Sequence, residues 1–147
     1  MKRLSLMRVL VLAGMLAGTS AGAENPTPVG VWLHPNGRVR VEIAPCDDRL
    51  CGRIVWFKRP NDANGNPRAD SKNTDSALRM RPLLGLTVLR GLRRSGDPAW
   101  EGGEIYNPDD GTDYKASISM DNNSTLHVRA YLLFPSLGKT QTWTRVR

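Results

Sequence analysis

A hydrophobic period of two, restarted several times along the chain, most constrains how this sequence can fold. Val39, Val41 and Ile43 alternate with Arg38, Arg40 and Glu42. Tyr114, Ala116, Ile118 and Met120 alternate with Lys115, Ser117 and Ser119, and Leu126, Val128, Ala130 and Leu132 with His127, Arg129 and Tyr131. Side chains on a strand point to opposite faces in turn, so each run predicts a strand with one buried and one wet face. Pro35-Asn36-Gly37, Asp109-Asp110-Gly111 and Asp121-Asn122-Asn123 supply turns between runs. The pattern predicts eight strands, near 30–34, 38–45, 51–58, 85–92, 99–106, 112–120, 125–133 and 139–146. Most connections are short, which favours antiparallel neighbours, and such a meander removes its exposed edges by closing into an up-and-down barrel. One segment, Arg59 to Pro82, fits no strand pattern and reads as a long loop over one barrel mouth. Within it, Asp75 is placed to cap a helical turn through Arg79.

The N-terminus is of another kind. Lys2, Arg3 and Arg8 precede a short apolar run, Val9 to Ala17, and Ala21-Gly22-Ala23 offers small residues for cleavage. A membrane span needs about 20 apolar residues, so residues 1–23 read as a secretory signal peptide. No Arg-Arg pair precedes the apolar run, which points to Sec-type export in the unfolded state. The 147-residue chain has a net charge of +7; without the leader, residues 24–147 form one domain of 124 residues with a charge of +4 and no membrane-spanning segment. That modest charge, with export, argues against nucleic acid as a partner. The expected location is the periplasm or the exterior of a bacterial cell.

Cys46 and Cys51 are the only cysteines. In an exported chain they are expected to be oxidised to a disulfide across a hairpin, because opposed strand residues lie about 4.5–5.5 Å apart. A metal or redox role is the rival reading, but no third and fourth ligand lie nearby and the pair lacks the two-residue redox spacing.

Gly30-Val31-Trp32 opens the first strand and Trp143-Thr144-Arg145 lies on the last. This resembles the calycin superfamily of lipocalins, fatty-acid-binding proteins and avidins. The resemblance implies that Gly30, Trp32 and Arg145 close one end of the barrel, with the arginine over the indole face. A second resemblance covers nearly the whole mature chain. Cys51-Gly52-Arg53-Ile54-Val55-Trp56, Arg79-Met80-Arg81-Pro82-Leu83-Leu84-Gly85, Gly103-Glu104-Ile105-Tyr106-Asn107-Pro108 and Thr140-Gln141-Thr142-Trp143-Thr144-Arg145 follow Gly30-Val31-Trp32 in order. In this the chain resembles the exported bacterial family known as domain of unknown function 2147. That likeness implies a lipocalin-like barrel and brings no catalytic residues with it.

The residues themselves offer no enzyme. There is no Gly-x-Ser-x-Gly, His127 falls on the wet parity of its strand and His34 sits at a turn. Glu101 and Glu104 flank Gly102-Gly103, where a bulge could bring both to one face, and Glu104 shares parity with Trp100 and Tyr106. Asp62-Ala63-Asn64-Gly65-Asn66 opens like a calcium loop, but Asn73 stands where the distal acidic ligand belongs, so it reads as turn chemistry. No catalytic residue, metal or cofactor is expected.

An eight-stranded barrel either fills its interior or holds one small ligand. The inward parity predicts a lining of Val39, Val41, Ile54, Trp56, Tyr114, Ile118 and Val128, suited to a hydrophobic or lipid-like molecule. Arg79 and Arg81 belong to an arginine-rich stretch with no acid between Asp75 and Asp97, and would hold an anionic head group. The alternative is a filled core whose loop and arginines contact an envelope protein or an anionic polymer.

Overall fold

The alternating segments become strands whose apolar parity turns inward. The computed structural model describes residues 25–147 together with Gly18 and Gly22. The expected signal peptide otherwise lies outside the described residues. The strands are β1 (Gly30–Leu33), β2 (Val39–Cys46), β3 (Arg49–Phe57), β4 (Thr87–Gly96), β5 (Ala99–Asn107), β6 (Thr112–Asn122), β7 (Thr125–Tyr131) and β8 (Lys139–Arg145). Each pairs antiparallel with the next, and β8 returns to β1 through Trp32↔Arg145 and Leu33↔Thr144. The fold class expected from the sequence is the one found: a closed, eight-stranded antiparallel barrel.

The two ends differ. One carries the short β2–β3, β4–β5 and β6–β7 turns together with the chain leading into β1 and out of β8. Large apolar side chains crowd its interior. Trp32, Ile43, Leu89, Leu92, Ile118 and Leu126 are fully buried there or at the barrel's waist. Burying a large apolar side chain stabilises by about 1.5–3 kcal/mol, so this half anchors the fold. Arg145 seals it from below. Its guanidinium lies 4.3 Å from the Trp32 ring centroid. It also donates to the carbonyls of Val29 (2.8 Å), Thr27 and Asn123. The Trp32 indole donates to Pro28 O at 2.8 Å. Gly30 has φ +146°, and a Cβ there would overlap the Arg145 guanidinium, so both backbone and space demand glycine.

The expected disulfide is present: Cys46 and Cys51 are bonded, with Cα atoms 5.6 Å apart. The hairpin is tighter than expected. Cys46 pairs with Arg49 and Ala44 with Cys51, so the turn is Asp47-Asp48 alone and the cysteines sit diagonally across the ladder.

The ladders carry several register shifts, and two of them bear on the expected faces. On β3, Arg40 pairs with Trp56 but Val41 pairs with Ile54, so Val55 is an extra residue. On β5, the register shifts between Trp100 and Gly103, with Gly102 at φ +70°. A bulge inserts one unpaired residue and reverses the parity beyond it. The end of β7 also differs: the strand stops at Tyr131 rather than near 133. Leu132 and Leu133 therefore belong to the loop.

Candidate functional site

At the other end the barrel is open. The loops following β1, β3, β5 and β7 surround a cavity of about 920 Å³ that descends between the sheet walls. Ligand pockets typically span about 300–1,000 Å³. Val41, Ile54, Val88, Val128 and Trp143 form its buried lower wall. Tyr114 stands on the wall, and its hydroxyl donates to Asp110 Oδ2 at 2.7 Å. That bond holds the phenol proton and raises the Tyr114 pKa. Burial would raise the pKa of Asp110, but donors from Tyr114, Thr112 and Asn107 outweigh it and lower the pKa.

Five predicted lining residues meet at this cavity: Val39, Val41, Ile54, Tyr114 and Val128. Four others do not. Trp56 is displaced by the β3 bulge to the outer face, where Arg40 stacks at 4.3 Å from its ring centroid; Phe57 takes the inward place. Ile118 faces inward but is 2 % exposed, packed in the filled half opposite Trp100 and Val128. Arg79 donates from Nε to the Asn73 carbonyl at 2.8 Å. Arg81 donates from Nε to Asp70 at 2.8 Å. Both arginines are engaged within the long loop rather than at the cavity.

The charge at the mouth comes from elsewhere. Arg38, Lys58, Arg59, Arg68 and Lys139 line the cavity, against the carboxylates of Asp109 and Asp110. Lys139 and Gln141 lie on the inward parity of β8, and Gln141 accepts from the Trp143 indole at 3.1 Å. His34 also borders the cavity, its ring 5.8 Å from that of Trp143. These loop and edge cations carry no sequence pattern of their own. Only the inward parity of Lys139 and Gln141 on the last strand could have marked them.

The long loop is pinned by a buried polar cluster that the sequence did not suggest. Asp70 is fully buried. The Tyr106 hydroxyl donates to its Oδ1 at 2.6 Å; Asn73 Nδ2 and Arg81 Nε each donate to Oδ2 at 2.8 Å. Burial pushes the Asp70 pKa up, but these three donors and the Arg81 charge prevail and lower it below its ordinary value. The Tyr106 hydroxyl is raised by its own burial and by the adjacent Asp70. The cluster fastens the loop to β5 while Arg59, Arg68 and Leu83 border the cavity. As expected, Asp75 accepts from Ala77 N at 2.9 Å and caps a 3₁₀ turn, Ser76–Leu78. Asp62 accepts from the amides of Asn64 and Asn66, which is the turn chemistry read from the sequence.

The β5 bulge does bring Glu101 and Glu104 to one face, and that face is exposed. Glu101 is paired in register with Arg93, and Glu104 bonds Arg90 at 3.0 Å. His127 lies on the outer face against Asp121 at 2.7 Å. Among the described residues no three His, Cys, Asp or Glu side chains gather as a metal site. None of their helices is long and apolar enough to cross a membrane.

A closed eight-stranded barrel, sealed at one end by an arginine over a Gly-x-Trp indole and open to a cavity at the other, defines a protein with the lipocalin-like fold. The chain belongs to the family described as "Uncharacterized protein conserved in bacteria (DUF2147)", whose model matches residues 30–145. It is similar to a solved structure of protein HP1028 from Helicobacter pylori, described as belonging to the lipocalin family. The two share 24 % sequence identity over 85 % of this chain and 84 % of that one, with a TM-score of 0.71. That likeness speaks to the fold. No curated protein matches the chain.

Proposed function

We propose that this protein is an exported, non-enzymatic carrier or sensor that binds one small amphipathic molecule in the open half of its barrel. The observation that carries the reading is the cavity of about 920 Å³, apolar below and bordered by five cations at its mouth. An apolar body would replace water against Val41, Ile54, Phe57 and Val128, gaining about 25 cal/mol per Å² buried. A carboxylate or phosphate head would remain near Lys139, Arg59 and Arg68, with which it would form charge-assisted hydrogen bonds. Val39 and Tyr114 complete the proposed lining. The same volume speaks against an interior filled throughout. The Cys46–Cys51 disulfide supports export, since such bonds persist in oxidising compartments. The arrangement gives no reason to invoke nucleic acid.

The test is native mass spectrometry of protein recovered from its own host, followed by extraction of bound small molecules. One lipid-like adduct per chain, released on unfolding, is the expected result. A bare mass, together with no uptake of a fluorescent fatty-acid probe by the purified protein, would remove the carrier reading.

A further inference from the structure

The connection from β7 to β8 exposes four large apolar side chains within six residues. Leu132 is 60 % exposed, Leu133 74 %, Phe134 60 % and Leu137 79 %. Isolated apolar residues are ordinary on a protein surface, but a contiguous cluster marks a place of contact. The segment is also held in shape. The amides of Leu137 and Gly138 donate to Phe134 O (3.0 Å) and Pro135 O (3.2 Å), making a short 3₁₀ turn over Pro135–Leu137. Beneath it, Arg129 donates from Nε to Pro135 O at 2.6 Å and from a terminal nitrogen to Thr140 Oγ1 at 2.7 Å. The turn is therefore held locally while its apolar side chains remain in water.

The surroundings identify a partner of definite chemistry. Leu132, Leu133 and Leu137 border the cavity, so the cluster stands at the barrel's open end. Arg38, Lys58, Arg59, Arg68 and Lys139 border the same opening. Of the two carboxylates there, Asp110 is already engaged by Tyr114 and Asn107. An apolar tip beside a cationic rim matches the surface of an anionic bilayer: the tip enters the boundary between head groups and acyl chains, and the cations meet phosphates. A second copy of the chain fits less well, because two such rims would face each other with the same sign.

We infer that residues 132–137 are a membrane-docking tip that sets the mouth of the barrel against an anionic lipid surface. The inference goes beyond the carrier reading and stands on the loop and rim, whatever the cavity contains. Docking is peripheral: a short apolar tip and charge attraction give reversible, salt-sensitive binding.

The test is vesicle flotation with protein isolated from cells expressing the full chain, its mass recorded. One vesicle set contains phosphatidylglycerol with phosphatidylethanolamine, the other phosphatidylcholine alone. The protein should float with the first and not the second, and about 0.5 M salt should release much of it, since the screening length then falls well below 10 Å. Phe134→Asp, at an exposed position that does not border the cavity, should leave the circular dichroism spectrum unchanged and weaken partitioning at least about tenfold, by removing the ring and adding a charge of the lipid's sign. Uptake of a fluorescent fatty-acid probe in solution, measured on the same two proteins, reports the cavity separately and should be retained by the variant. Failure to float with anionic vesicles, equal flotation with both sets, or unchanged flotation of the variant would each overturn the inference. Self-association that the substitution abolishes, without flotation, would assign the tip to a second copy and overturn it too.

Discussion

One guanidinium, that of Arg145, joins three pieces of chain at the barrel floor: the lead-in at Thr27 and Val29, the turn at Asn123, and the face of Trp32. Arg145→Ala should lower stability by about 2–3 kcal/mol, from the lost stacking and the carbonyls left without a donor. Arg145→Lys should recover little of it, because an ammonium cannot stack and fork at once. Urea denaturation checks both. The β3 bulge makes a second prediction at this scale. Phe57→Ala should weaken binding of a fluorescent fatty-acid probe about tenfold, or roughly 1.4 kcal/mol. Trp56→Ala should leave that affinity unchanged, because its ring stacks on Arg40 outside the barrel; an affinity loss only for Trp56→Ala would contradict the assigned faces. The pairing of Gly30, Trp32 and Arg145 was legible through the calycin resemblance, which Gly30-Val31-Trp32 and Trp143-Thr144-Arg145 carry on the first and last strands. The exchange of Trp56 for Phe57 was not, since Ile54, Val55, Trp56 and Phe57 form an unbroken apolar run with no alternation to betray an extra residue.

The long loop between β3 and β4 is fastened to the barrel through a buried carboxylate. Asp70 accepts from Tyr106, Asn73 and Arg81, and its carboxyl titrates below its ordinary value of 3.8. As pH falls, the unfolded chain binds this proton before the folded one does. The stabilisation is therefore complete above about pH 4 and is lost as pH drops through the folded value. Hydrogen exchange should accelerate first in residues 70–83 on acidification, with β6 and β7 still protected; simultaneous exposure of loop and strands would remove the clamp. Asp70→Asn should cost about 1–3 kcal/mol, because it presents an amide donor to donors already in place. None of this could be read from a line of residues. An aspartate in a polar loop reads as solvated, and Tyr106 lies 36 positions away. The β7–β8 tip was hidden for a different reason. Leu132 continues the period-two pattern of β7, so alternation alone extends the strand beyond its true end.

Across the whole molecule, stability and binding are divided between two halves. The filled half holds Trp32, Leu92 and Leu126 and carries the Cys46–Cys51 bridge at its edge; the open half holds the cavity. Replacing both cysteines by serine should therefore cost about 2 kcal/mol, the amount expected for a very short closed loop, and lower the melting temperature by several degrees. Probe uptake should not change, and its loss would show that the two halves are coupled. The barrel itself was legible because β2, β6 and β7 alternate plainly between wet and dry faces, and short turns leave few ways to pair the strands. The cavity was not, since the same apolar parity lines both a filled half and an empty one. The chain leading into β1 and the residues leaving β8 meet at the sealed floor, where Val31 N donates to Arg147 O at 2.8 Å. A tag, tether or fused domain at the C-terminus thus emerges opposite the entrance. Coupled to a sensor chip by that terminus, the barrels would present their mouths outward to whatever flows past.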